Sequence, residues 1–150
     1  MPEDKQAFIG HFQQMRRDLL TAIDGLTDDQ LSGTTLDGWS VKDHLAHLAL
    51  WDDLRTSEIE RISAGFDSAW RMSEEQTVTL SDMAFSVRRG LSIAQVRWEL
   101  ATSHQRLLDA VSAATGRGLD ASLYSEAALR STHEAEHTAW ITAWRADLGI

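Results

Sequence analysis

The sequence predicts an all-α protein, a four-helix bundle, on three observations. The 150 residues hold one proline, at position 2, so the interior is free of the strongest helix breaker. Apolar residues recur at spacings of three and four over four long windows, and no long window shows the alternation of a half-buried strand. Hydroxyl residues followed three positions later by an acid or an amide stand at several window starts, in capping-box form. Four long helices with mostly short connections favour an antiparallel bundle.

The first long helix is expected from about Glu3 to Asp24, with Phe8, Phe12, Met15, Leu19 and Ile23 on its inner side and Gly25 as its stop. Thr27-Asp28-Asp29-Gln30 has capping-box form, and Asp37-Gly38 marks a loop. The second helix begins after Ser40, with Asp43 placed to return the capping bond. Val41, Leu48, Trp51, Ile59 and Ile62 face inward from it, and Gly65 ends it. Residues 66–91 form a long connection in which a short helix, Ser81 to Arg89, is expected, because a structureless loop of this length is unusual in a compact domain. The third helix starts at Ser92 with Gln95 completing a box, and runs through Ile93, Val96, Leu100, Leu107, Leu108 and Val111 to Gly116. The fourth spans Tyr124 to Leu148. Residues 1–150 read as a single domain, long enough to bury a core without staples.

Composition narrows the function classes. Apolar residues make up 43% and charged residues 25%, the balance of a globular rather than a disordered chain. Cysteine is absent, which excludes disulfides and thiolate metal ligands. No apolar run approaches the ~18 residues that span a bilayer, and no signal-peptide pattern stands out, so a cytoplasmic protein without membrane contact is expected. A net charge of −9 with no basic stripe argues against nucleic acid as a partner. A small-molecule ligand is the expected partner. A homodimer is a reasonable expectation too, since small bundles often bury a spare apolar face this way.

The histidines carry the chemistry. His133 and His137 are four apart, so on a helix they stack on one face, shared with Leu129, Trp140, Trp144 and Leu148. Two imidazoles on an apolar stripe need hydrogen-bond partners or a metal, and an i, i+4 pair is a familiar source of two neighbouring metal ligands. The plain alternative is one histidine in a wet groove and the other capped by a carboxylate. The second helix offers a third nitrogen from either His44 or His47; wheel geometry puts His44 nearer the middle of the apolar face.

Residues 38–52, from Gly38-Trp39-Ser40 through Ala46-His47-Leu48 to Trp51-Asp52, resemble a signature of the DinB-like superfamily: a turn with Trp and Ser/Thr, then a helix carrying an A-H-L motif and an aromatic four residues on. His133 to His137 resembles that family's second signature, a helical H-x-x-x-H, and the order and lengths of the helices match across essentially the whole chain. The resemblance implies a four-helix bundle that holds a divalent metal, commonly zinc or nickel, through His47, His133 and His137. His44 then becomes a pocket residue or a hydrogen-bond partner. Three neutral nitrogen donors leave coordination positions for water or substrate, the pattern of a catalytic rather than a closed structural site. Several members resemble S-transferases that use a low-molecular-weight thiol such as mycothiol or bacillithiol. A metal-dependent thiol transferase or hydrolase acting on a small molecule is therefore the first expectation. A non-catalytic binding or stress-protection module is the second, and Ser81 to Leu91 loosely resembles DinB-related self-protection bundles.

The remaining residues have two readings each. Glu136 flanks the histidine face and could orient an imidazole, or simply be solvated. Glu126 and Arg130 could line a pocket mouth or form an ordinary i, i+4 ion pair. Trp51, Trp140 and Trp144 could wall a cavity or belong to the core, while Trp39 anchors the loop into the second helix. His11 and His104 have no assigned role. Arg88 and Arg89 could meet an anionic substrate, with a solvated helix end the plainer reading.

Overall fold

A computed structural model describes residues 4–36, 38–124 and 132–150. Helix α1 (Lys5–Ile23) is capped by the Asp4 carboxylate, which accepts from Gln6 N–H, and the chain turns away at Gly25, whose φ of 80° suits a residue without Cβ. The expected capping box at Thr27 and Gln30 opens a short helix, α2 (Asp28–Ser32). Two short strands, β1 (Thr34–Leu36) and β2 (Trp39–Ser40), pair antiparallel and feed α3 (Val41–Ser63), which opens on the full Ser40–Asp43 box. Helix α5 (Ile93–Ala113) starts at Ser92, whose hydroxyl accepts from Gln95 N–H. Two 3₁₀ turns follow, Arg117–Leu119 and Ala121–Leu123, and α6 (His133–Leu148) closes the fold at Gly149, φ 67°.

Three expectations need correction. The helix in the long connection, α4 (Glu74–Arg88), begins seven residues earlier than Ser81, because Ser73 and Gln76 form a capping box that the sequence reading passed over. Tyr124 does not start the last helix. It is extended after a 3₁₀ turn and buried, its hydroxyl donating to Gly118 O (2.6 Å), and the described helix begins at His133. Helix α5 ends at Ala113 rather than Gly116.

The four long helices α1, α3, α5 and α6 form an all-α bundle, with α3 packed along α5 and α1 along α6. Its core is in two parts. One gathers Leu19, Ile23, Leu45, Leu48, Val96, Leu100, Ile141 and Trp144; the other gathers Phe8, Phe12, Ile59, Ile62, Leu107, Val111, Leu119 and Tyr124. Each fully buried aliphatic or aromatic side chain contributes ~1.5–3 kcal/mol relative to exposure. Between the two parts lies a polar layer. On α1, buried Arg16 falls between Phe12 and Leu19; on α3, Asp52 falls between Ala49 and Ile59; on α5, Ser103 falls between Leu100 and Leu107. Helix α4 stands apart: none of its residues is buried, and it rests on α3.

Candidate metal centre

The capping box at Ser40 fixes where α3 begins, and so sets His44 and His47 within its first two turns. Helix α6 opens directly on His133, with His137 one turn on. The helices bring the four imidazoles together. His47 Nε2 lies 3.0 Å from His133 Nε2, and His137 Nε2 lies 3.0 Å from the same atom. One nitrogen from each of the three can be chosen so that all lie within 4.8 Å of one another. His44 approaches from the other side, its Nδ1 2.6 Å from His137 Nδ1.

Protons alone account poorly for this packing. A ring nitrogen carries one proton or one lone pair, so His133 Nε2 cannot make two good hydrogen bonds to two other nitrogens. His47 Nδ1, moreover, is buried with no hydrogen-bond partner among the described residues. A single metal ion fits the two 3.0 Å separations. Two nitrogens each ~2.05 Å from one metal sit ~3.0 Å apart at an angle of about 94° and ~3.3 Å apart at the tetrahedral angle. His137 would then present Nε2 to the metal and hold its proton on Nδ1, which donates to His44 Nδ1.

Burial prepares these imidazoles as lone-pair donors. Desolvation first, then the neighbouring histidines, push His47 down to about 3 and His137 to about 2. His133 falls to about 4 through desolvation and the nearby Arg55 guanidinium. All three are neutral at pH 7, the state that ligation requires.

Aromatic rings wall the cluster. Trp39 lies against His44 (5.2 Å between centroids) and His47 (5.3 Å), and Phe85 of α4 stacks on its other side at 4.8 Å. Trp51 touches His47 and His133, and Trp140, although 51% exposed, touches His137 at 4.8 Å and His44 at 6.3 Å. A cavity of about 10 Å³, the size of one water, adjoins His47 and is lined by Trp39, Asp43, Ala46, Ala84, Phe85, Arg88 and Arg89.

Other sequence candidates fall elsewhere. Trp144 belongs to the core. Glu136 is exposed on α6, and the group that meets His137 Nδ1 is His44. Arg88 is held by Glu99 and the Ala46 carbonyl rather than standing free at a helix end. His11 packs its ring on Phe12, and His104 is pushed down to about 4 by burial, with Arg16 adding to the shift. Glu126, Leu129 and Arg130 lie outside the described residues.

Two features of the site were not expected from the sequence. Trp39 is a wall of the site and not only a loop anchor. Beside the site, Arg16 is 5% exposed and donates to Asp52, Glu134 and Leu100 O in one buried cluster. The signal was available: a charged residue of complementary sign interrupts the apolar stripe of α1 and of α3.

A helical bundle with histidines from two helices converging on one point defines a class of candidate metal-binding bundle proteins. The model of the DinB superfamily matches residues 11–144, and the chain belongs to that family. No curated protein matches the chain, and no solved structure does.

Proposed function

We propose that the chain binds one divalent metal ion, zinc or nickel, through His47, His133 and His137, and uses it to act on a small molecule, as a thiol S-transferase or a hydrolase. The observation that carries this is the convergence of three neutral Nε2 atoms, His133 lying 3.0 Å from each of the other two. When bound, such a metal lowers the pKa of a coordinated water or thiol toward neutrality. The chain's own residues do the rest. His44 holds the tautomer of His137, the tryptophans exclude bulk water, and Phe85 closes the outer face of Trp39. Absence of cysteine leaves an external low-molecular-weight thiol as the nucleophile in the transferase reading.

A second reading, a non-catalytic binding or protection module, is favoured by the water-sized cavity beside His47, which leaves little room for substrate there. Zinc- and nickel-loaded protein is to be assayed with low-molecular-weight thiols and electrophilic acceptors, and with activated esters. Turnover that disappears in His47→Ala and in His137→Ala supports the enzyme. Ligand affinity that survives metal removal, with no turnover, supports the module.

A further inference from the structure

The polar layer between the two halves of the core adjoins the metal centre. Arg16 reaches it from α1 and binds all three other long helices through one guanidinium. Its Nε and Nη2 donate to the two oxygens of Glu134 on α6 (3.2 and 2.9 Å). Nη2 also donates to Asp52 Oδ2 on α3 (2.7 Å), and Nη1 to Leu100 O on α5 (2.8 Å). Ser103 adds a bond to Asp52 Oδ2 (3.1 Å).

The place of Glu134 gives this cluster its meaning. Glu134 follows His133 directly, in the first turn of α6. Among the described residues Thr132 makes no capping hydrogen bond to that turn, and its φ and ψ of −95° and 6° are not those of a usual N-cap. His133 sits on this turn and must hold its distance to His47 within a few tenths of an ångström to share a metal. Apolar packing is less directional than hydrogen bonding and leaves the orientation of this polar layer to its own bonds. A buried, doubly bonded ion pair can set such a register, and registry is its best-attested use. Asp52 completes the link, since it lies on the same helix as His47, five residues on.

We propose that Arg16 and Glu134 are positioning residues for the metal centre: their ion pair pins the first turn of α6 to α1 and α3 at the separation where His133 and His47 meet. This rests on the metal reading above only for its consequence. The pinning itself is a property of the metal-free chain.

The test uses Glu134→Gln, which keeps shape but loses the charged fork, and Arg16→Lys, which keeps charge but cannot reach all partners. Leu107→Ala, in the other half of the core, is a control that destabilises without touching the cluster. Two readouts are taken on the full chain. The first is amide hydrogen exchange at Glu136, His137 and Thr138 in metal-free protein, the first of which donates to Thr132 O in the opening turn (3.1 Å). The second is zinc affinity by competition with a chromophoric chelator. Both cluster variants are expected to speed exchange at these amides about tenfold or more, and to weaken zinc binding about 10- to 100-fold. Leu107→Ala is expected to lower the melting temperature and leave both readouts unchanged. Unchanged exchange at 136–138 in both cluster variants, or an equal change in Leu107→Ala, overturns the proposal. If the wild-type chain binds no zinc, the metal reading fails and the exchange result still decides the pinning.

Discussion

Replacing His44 with phenylalanine keeps a flat ring of similar size against Trp39 and Trp140 and removes the nitrogen 2.6 Å from His137 Nδ1. In the proposed metal-bound chain that contact would let His137 keep its proton on Nδ1 and its lone pair on Nε2, the atom turned toward His133. Without the partner, a buried N–H is left unsatisfied, at a cost of ~1–3 kcal/mol. His137 can escape the cost by moving its proton to Nε2, which blocks ligation. Either route weakens the metal-bound form, so zinc affinity is expected to fall about 10- to 100-fold, or ~1.4–2.8 kcal/mol. Stoichiometry at saturating zinc is expected to stay at one per chain, since the three proposed ligands remain. A chelator competition titration measures both quantities. Unchanged affinity would show that His44 does not orient His137. Complete loss of binding, by contrast, would make His44 a ligand itself, as the helical wheel suggested.

Other outcomes follow from the same geometry. Imidazoles with folded pKa values of about 2 to 4, against 6.5 unfolded, are protonated more readily in the unfolded chain. Their contribution to metal-free stability is therefore complete above pH 6.5 and declines as pH falls from there toward 4 and below, as denaturant titrations at stepped pH should show. A stability that rises on acidification through this window would contradict the assignment. Ser73→Ala removes the cap of α4 and should cost ~0.5–2 kcal/mol locally. Because α4 buries none of its residues, hydrogen exchange is expected to rise along α4 while α5 amides keep their protection.

The bundle could be read from the chain because its helices carry local instructions. Ser40 with Asp43 and Thr27 with Gln30 make the capping boxes their spacing announces, and Gly25 and Gly65 take up the positive φ that ends α1 and α3. The two histidine pairs were visible for the same reason, since i, i+3 and i, i+4 neighbours share a helix face wherever the helix lies. What could not be read was anything set by contacts between helices. The wheel favours His44 over His47; only the approach of α6 places His47 Nε2 against His133 and His44 Nδ1 against His137. The partners of Arg16 could not be named from the chain, because Asp52 and Glu134 are 36 and 118 residues away. Tyr124, expected to open the last helix, instead seals the second half of the core through Gly118.

The central claim is that His47, His133 and His137 hold one metal, and metal content tests it most directly. Untagged protein is purified without chelator, reconstituted with zinc or nickel, and measured by plasma mass spectrometry beside His47→Ala, His137→Ala and His44→Ala. Near one metal per chain in the wild type and in His44→Ala, with none in His47→Ala or His137→Ala, is the predicted result. A wild-type chain that stays empty after reconstitution, or a His47→Ala chain that keeps its metal, would contradict it.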